Sequence, residues 1–346
     1  MERRSEPPRP ATDHVGSYLT LGEETRSAML SFLTEDQVRA VLRMEDLIPA
    51  MEHALAEFSA GRVRQPPRQM LTIEPHGAHF GSMPAAGSVG LGAKLVTLYP
   101  GNAARGLPTH TAVIVLFRPE TGEPLAIMDG RLITEMRTAA VSAVATQVMA
   151  AQDAKVLAIL GSGVQARSHV EALRLVRDFQ EVRVWSRTPE HAAEFAAEVG
   201  ARAMAAEEAV RGADVIVTAT SAREPVLKGA WLKPGAHVTS VGWPGPQGRE
   251  LDDEVMHNLL VVDTRETVLR EAGDVLLSGA EIYAELGEVL AGAKPVPRGV
   301  TTVFKSVGIA IEDIVAPSGL RAGACSAWGE IVEVGPIGTV EDTHGG

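Results

Sequence analysis

Residues 155–173 read KVLAILGSGVQARSHVEAL: a short apolar segment, a glycine pair and then a helical pattern. Gly161, Gly163 and Ala166 fit the spacing G-x-G-x-x-[GA]. In a dinucleotide site each position has a task. Gly161 permits the tight turn, Gly163 lets the backbone approach a pyrophosphate, and Ala166 leaves room for the helix to pack on its strand. The phosphates would sit on amide donors where the helix opens, around Ser162, Val164 and Gln165. The same spacing also suits an ordinary strand-to-helix turn, but a preceding apolar strand and a following helix favour the dinucleotide.

The next strand decides which dinucleotide. An NAD site places Asp or Glu at its end, about 20 residues on, to hold the ribose 2′-hydroxyl. This chain reads VRVWSRTPEH, with Ser186, Arg187 and Thr188 where the acid would stand. A guanidinium between two hydroxyls suits a 2′-phosphate, because arginine makes paired, charge-assisted bonds to phosphate oxygens. The expected cofactor is NADPH; the alternative is that Arg187 is a solvated loop arginine.

These residues need elements to position them. KVLAILG, EVRVWSR, ADVIVTAT, AHVTSVG and NLLVVDT are apolar strands alternating with helices, the pattern of a parallel sheet covered on both faces. RTAAVSAVATQVMA, from residue 137, reads as a small-residue helix. Before it, residues 69–134 break into short apolar runs separated by turn residues, including RPETGEP and a DG pair, which predicts an antiparallel meander. Residues 33–61 read as one or two helices, Thr34 capping the first and Gly61 closing the second. The fold class expected is α/β: a Rossmann-type doubly wound parallel sheet plus a second α+β domain containing the meander.

Composition sets limits. A chain of 346 residues is long for a single core, so two domains are expected. Its formal net charge of −12 argues against nucleic-acid and anionic-membrane partners while allowing a local basic pocket. No apolar run is long enough to span a bilayer. One cysteine, Cys325, excludes an internal disulfide and fits a reducing, cytoplasmic setting. Residues 1–25, proline-rich and charged, read as a flexible leader, and the Gly-rich tail after about Pro317 is expected to be mobile at its end. No metal is expected.

RTAAVSA, GSGVQA, VWSRT, GADVIVTAT, KPGAHVTSVG, RELDDEVM, GDVLLSGAEIYAELGEVLAG and TTVFKSVGIAIEDIVA occur in an order that resembles the ornithine cyclodeaminase/mu-crystallin family, over roughly residues 30 to 316. The resemblance implies a Rossmann domain over 137–308, inserted in a split substrate-binding and dimerisation domain formed by 26–136 and 309–346. It also implies a homodimer. Arg68 in QPPRQM and Lys94 in GAKLVTLY would bind a substrate carboxylate. Thr109, His110, Arg137 and Thr138 would lie near the nicotinamide and phosphates; Thr220, Lys305 and Ser306 would also meet the cofactor. Read without the family, Lys94 could be a strand lysine turned to solvent and Arg68 a surface residue. His110 could be structural, and Thr138 a first-turn helix residue.

One departure matters. Ornithine cyclodeaminases carry an aspartate shortly after the VG that here is Val241-Gly242, and this chain reads VGWPGPQGRELDD. Pro244 takes that place, and proline offers no proton acceptor in its side chain. Trp243 beside it either lines the pocket or packs in the loop. Asp252 and Asp253 follow at an apparent helix start, where capping is the simple role. The expected activity is NADPH-dependent hydride transfer to C=N of a carboxylated ketimine, a cyclic one such as piperideine- or pyrroline-2-carboxylate fitting well. The alternatives are an alanine-dehydrogenase-like oxidoreductase, or a protein that binds NADPH and a hydrophobic anion without turnover; cyclisation of ornithine is not expected.

Overall fold

A computed structural model describes residues 29–319 and 331–333; the expected leader, Cys325 and the end of the tail lie outside them. The chain opens with β1 (Met29–Leu33), α1 (Glu35–Val41) and α2 (Met44–Ser59). Thr34 caps α1: its hydroxyl accepts from Gln37 N, and the Gln37 side chain accepts from Thr34 N. Two free amides are satisfied reciprocally. Gly61 follows α2 at φ 74°, the left-handed stop that a side chain would resist.

The predicted meander then forms as β2 (Val63–Arg64), β3 (Gln69–Ile73), β4 (Ala78–Gly87), β5 (Gly90–Leu98), β6 (His110–Phe117) and β7 (Pro124–Asp129). Neighbours from β2 to β7 pair antiparallel in the sheet order β1-β7-β6-β5-β4-β2, with β3 on β4, and β1 runs parallel to β7. RPETGEP closes the β6–β7 hairpin. Asp129-Gly130 does something else: Asp129 Oδ1 accepts from Arg131 N at 2.9 Å and starts α3 (Arg131–Met149). That helix begins before residue 137, so the expected boundary at 136/137 falls inside it. Thr138 is correspondingly not in its first turn.

Helix α3 packs on α2 on one side and on α4 (Val164–Val176) on the other, and so joins the two halves of the molecule. It is almost wholly buried yet carries hydroxyls. Thr134, Thr138, Ser142 and Thr146 each donate to the carbonyl four residues back, which removes the penalty of burying them.

The second half alternates strands and helices in the predicted way. β8 (Val156–Leu160) leads through α4 to β9 (Glu181–Trp185), α5 (Pro189–Val199), β10 (Arg202–Ala203), α6 (Ala206–Val210) and β11 (Val215–Thr218). Next come β12 (His237–Ser240), α7 (Asp253–Met256), β13 (Leu259–Val262), α8 (Arg265–Glu271) and α9 (Gly273–Ser278). β14 (Ile282–Glu285), α10 (Leu286–Leu290), β15 (Thr302–Lys305) and α11 (Ala310–Val315) complete it. β16 (Ile331–Glu333) returns to pair antiparallel with β1.

All eight strands β8 to β15 are parallel, in the order β10-β9-β8-β11-β12-β15-β13-β14. The order reverses between β8 and β11, and a doubly wound sheet binds its ligand at the carboxyl ends of the strands beside such a switch. The sequence reading missed β10, β14 and β15. The last is central, lying between β12 and β13, and its final residue, Lys305, hides a buried strand behind a charge.

The loop that follows β12 is tightly confined. A Cβ on Gly273, the first residue of α9, would lie 1.9 Å from Gly248 O and 2.8 Å from Gly245 O. Gly273→Ala is therefore expected to destabilise the protein by about 1–3 kcal/mol, as overpacking does. Denaturant melting measures it, and an unchanged midpoint would mean that the 243–248 loop yields freely.

Candidate active site

The glycine motif stands at the switch point. Gly161 adopts φ +133°, and a Cβ there would lie 2.5 Å from Ala219 O, so the turn needs glycine on both counts. Gly163 opens α4; a Cβ on it would meet nothing within 4 Å, and no side chain caps the helix. Free first-turn amides facing open space are what a pyrophosphate requires. Ser162 Oγ donates to Ser186 Oγ at 2.9 Å, which ties the motif to the end of β9. There Arg187 is exposed and has no hydrogen-bond partner among the described residues, and the Thr188 side chain leaves α5 uncapped. These residues fit a dinucleotide carrying a 2′-phosphate.

A buried carboxylate that the sequence reading missed organises the neighbouring strand ends. Glu250 accepts from Thr218 Oγ1, Thr220 N, Thr220 Oγ1, Ser240 Oγ and Gly242 N at 2.7–3.0 Å. Gly242 has no room for a side chain, since its Cβ would fall 2.2 Å from the Glu250 carboxyl carbon. Lys305 donates to Ser240 Oγ at 3.0 Å and Gly242 O at 2.7 Å and pairs with Asp274 at 2.9 Å. Its three ammonium donors are thereby used, and it is fully buried. The Lys305 side chain, which the resemblance places at the cofactor, is in this structure a strut between strand ends. The hydroxyl of Thr220 is likewise committed to Glu250, and that of Ser306 donates to Asp263 at 3.1 Å.

On the antiparallel sheet, Lys94 points inward. Pairing β5 with β6 sets Lys94 opposite Ile114, Val96 opposite Ala112 and Leu98 opposite His110, so all six share the inner face. Lys94 is 2% exposed and its Nζ lies 2.6 Å from Asp313 Oδ2. Burial pushes its ammonium down to about 8, partly offset by Asp313. Asp313 Oδ1 in turn accepts from Arg137 Nε at 3.0 Å, while Arg137 Nη1 reaches Glu312. Burial alone would raise the Asp313 carboxyl, but Arg137 and Lys94 outweigh it and hold it below its usual range. Burial carries Glu312 the other way, up to about 7.

Arg137 was expected near the nicotinamide and phosphates. The structure places its guanidinium between the two carboxylates of α11, in one cluster with Lys94. Thr138 spends its hydroxyl on Thr134 O at 2.7 Å. Thr109 is exposed, and its carbonyl accepts from Tyr99 N. His110 is half-buried; burial, with Lys94 and Arg137 nearby, lowers its imidazole to about 4, so it is neutral at ordinary pH.

Arg68, just before β3, crosses between the halves. Its Nη2 donates to Val307 O at 2.6 Å and Gly308 O at 2.7 Å, and its Nε lies 3.0 Å from Glu271. The guanidinium stands 5.9 Å from the Trp243 ring centroid, and the Trp243 Nε1 is buried without a partner among the described residues. A cleft of about 480 Å³ opens beside this point, between Val63–Pro67 and Thr264–Thr267. Among the described residues no group of three His, Cys, Asp or Glu could hold a metal ion, and no helix is long and apolar enough to cross a membrane. Asp252 caps α7, accepting from Val255 N, and also takes Gly229 N.

A dinucleotide motif on a parallel sheet, together with buried cations from β5 and α3, defines an α/β protein built to bring a nucleotide cofactor to a small anion. The chain belongs to the ornithine cyclodeaminase/mu-crystallin family, which it matches over residues 29–324. It is 50% identical over 296 residues to ketimine reductase mu-crystallin of Rattus norvegicus, covering 83% of this chain and 95% of the relative. A Δ(1)-pyrroline-2-carboxylate reductase of Bacillus cereus is 37% identical over 303 residues, covering 82% and 93%. Thermococcus litoralis Δ(1)-pyrroline-2-carboxylate reductase, solved in complex with NADH and L-proline, superposes with a TM-score of 0.81 at 38% identity, covering 86% of this chain and 98% of that one. An archaeal alanine dehydrogenase dimer with bound NAD gives 0.83 at 33% identity, covering 88% and 99%.

The Lys94 charge yields a pH signature. Its ammonium is charged below about 8 and neutral above, so the inhibition constant of a small ring carboxylate such as pyrrole-2-carboxylate is expected to rise as pH increases through about 8. In Lys94→Arg, whose cation does not titrate in that range, the inflection should vanish. A flat profile in the unmodified protein would remove Lys94 from anion binding.

Proposed function

We propose that this protein uses NADPH to reduce a carboxylated, cyclic ketimine to the corresponding imino acid. The observation that carries this reading is the clustering of three cations: Lys94 and Arg137 share Asp313, and Arg68 and Arg137 both meet Gly308. Three cations drawn from different elements of an acidic chain are a selective site for one small carboxylate. The reductases among the relatives act on substrates of that chemistry.

Gly161, Gly163 and the first-turn amides of α4 would hold the pyrophosphate, and Ser186, Arg187 and Thr188 the 2′-phosphate. When bound, the reduced cofactor supplies a hydride. The chain's own residues do the rest. Lys94 and Arg137 offer the imine carboxylate the donors that now face Asp313, and Arg68 adds a planar fork from the other side. A protonated iminium carbon is already electrophilic, so orientation and charge placement are what remains. The Asp313 carboxylate favours the iminium cation by charge, and a neutral His110 adds no repulsion against it. Trp243 limits the volume next to Arg68, which favours a compact ring.

The proposed unit is a cytosolic homodimer. The outer face of the sheet formed by β1 and the meander carries Phe32, Leu71, Leu95 and Val113, each at least 38% exposed, and such an apolar face is a natural contact for a second copy. In this reading the two sheets belong to the substrate-binding and cofactor-binding domains, with 26–136 and 309–346 in the first and 137–308 in the second.

NADPH oxidation with Δ(1)-piperideine-2-carboxylate tests the activity, and absence of turnover would favour a binding role instead. Arg187→Glu is expected to weaken NADPH by removing charge-assisted bonds of about 1.5–3 kcal/mol each while sparing NADH. A native preference for NADH would overturn the assignment of Arg187.

Ornithine should not be cyclised. Pro244 supplies no base, Asp252 is engaged as a cap, and Glu250 is saturated by five donors. Losing general-base help reduces a rate by about 10²–10⁴-fold. Incubation with ornithine and catalytic NAD is expected to yield no more than traces of proline and ammonia; robust proline formation would displace the reductase reading.

A further inference from the structure

Asp263 follows β13 and is fully buried. Its Oδ1 accepts from Thr264 N at 2.7 Å. Its Oδ2 accepts from Ser306 Oγ at 3.1 Å, Val307 N at 2.8 Å and Gly308 N at 2.7 Å. Those three donors belong to one short loop, the segment that leaves β15 for α11. The carbonyls of the same loop, Val307 O and Gly308 O, are the two acceptors of Arg68 Nη2.

The peptide between Val307 and Gly308 is therefore gripped at both ends. Its N–H points to the Asp263 carboxylate and its C=O to the Arg68 guanidinium. A charge at each end polarises the peptide in one sense and strengthens both bonds. If that peptide turned, Arg68 would lose an acceptor. Gly308 sits at φ +77°, and a Cβ there would lie 2.5 Å from Arg137 Nη1, so the same loop also abuts the second arginine of the cluster.

We propose that Asp263 is a positioning residue for carboxylate recognition, fixing the Val307–Gly308 peptide whose carbonyl aims Arg68 into the cleft. It acts through Arg68 and does not touch substrate. This rests on the reading of Arg68 as a carboxylate anchor. An amide at position 263 keeps the shape but removes the charge that three donors share.

Asp263→Asn is expected to raise the Michaelis constant for Δ(1)-piperideine-2-carboxylate about 10-fold, as misaimed anchors do. NADPH affinity and the Michaelis constant for Δ(1)-piperideine, which lacks the carboxylate, should not change. In an Arg68→Ala background the same substitution should add nothing, because the two changes act on one contact. If Arg68→Ala fails to raise the constant selectively, the anchor reading falls and this inference with it. If Arg68→Ala raises it and Asp263→Asn does not, or does so equally for both imines or in both backgrounds, the inference alone is overturned. Should Asp263→Asn not fold, Ser306→Ala removes one donor from the grip. It is expected to raise the same constant by a smaller factor only while Arg68 is present, and an equal effect in both backgrounds again overturns the proposal.

Discussion

The Asp313 carboxylate lies between Lys94 and Arg137, and the two sheets are organised around that contact. Asp313 and its two partners come from α11, β5 and α3, elements far apart in sequence, and all are buried. Isolated, each charge would be very unfavourable in such a place; removing one member of a buried pair typically costs about 3–5 kcal/mol. The arrangement is thus stable only when all three elements are in place. It also explains why α11, reached directly from the parallel sheet, must turn back against the meander.

A second buried network fixes the opposite wall. Glu250 and Asp274 bind the ends of β11, β12 and β15 through Thr218, Ser240, Gly242 and Lys305. Strands that are hydrophobic along their length would otherwise end in unpaired polar groups where the cofactor approaches. Here the donors of Thr218, Ser240, Gly242 and Lys305 each have an acceptor, so these strand ends are set before anything binds. The meander and α3 supply the cations, and the parallel sheet supplies a fixed platform.

Much of this was readable in the sequence because local signals agreed with the fold. The Thr34 cap, the Gly61 stop, the alternating runs of the meander and the glycine motif each follow from neighbours within a few residues. What escaped depends on distant partners. Lys94 read alone could face solvent; only the register with β6 and the return of α11 turn it inward. Arg137 and Lys305 owe their partners to buried acids far along the chain: one joins Lys94 and the other braces strand ends. A hint was present in GIAIEDIVA, where Glu312 and Asp313 interrupt an otherwise apolar helix. Acids in such a place require cations, but sequence alone does not say which ones. Asp129-Gly130 shows the converse: a turn signal that correctly marked a break was followed by a helix instead of a strand.

The depth of the cations also governs how ligands find them. Outside, the protein presents a net charge of −12 to anionic ligands. Lys94 and Arg137 are matched by acids within a few ångströms, and at physiological salt exposed charges are screened over about 8 Å. The cluster therefore has almost no reach into solvent. In the proposed reading, anions are not drawn in from a distance; they are selected on contact, by competing for donors that acids already hold. A site of this kind trades speed of capture for discrimination, since an anion of the wrong shape gains nothing from merely being negative.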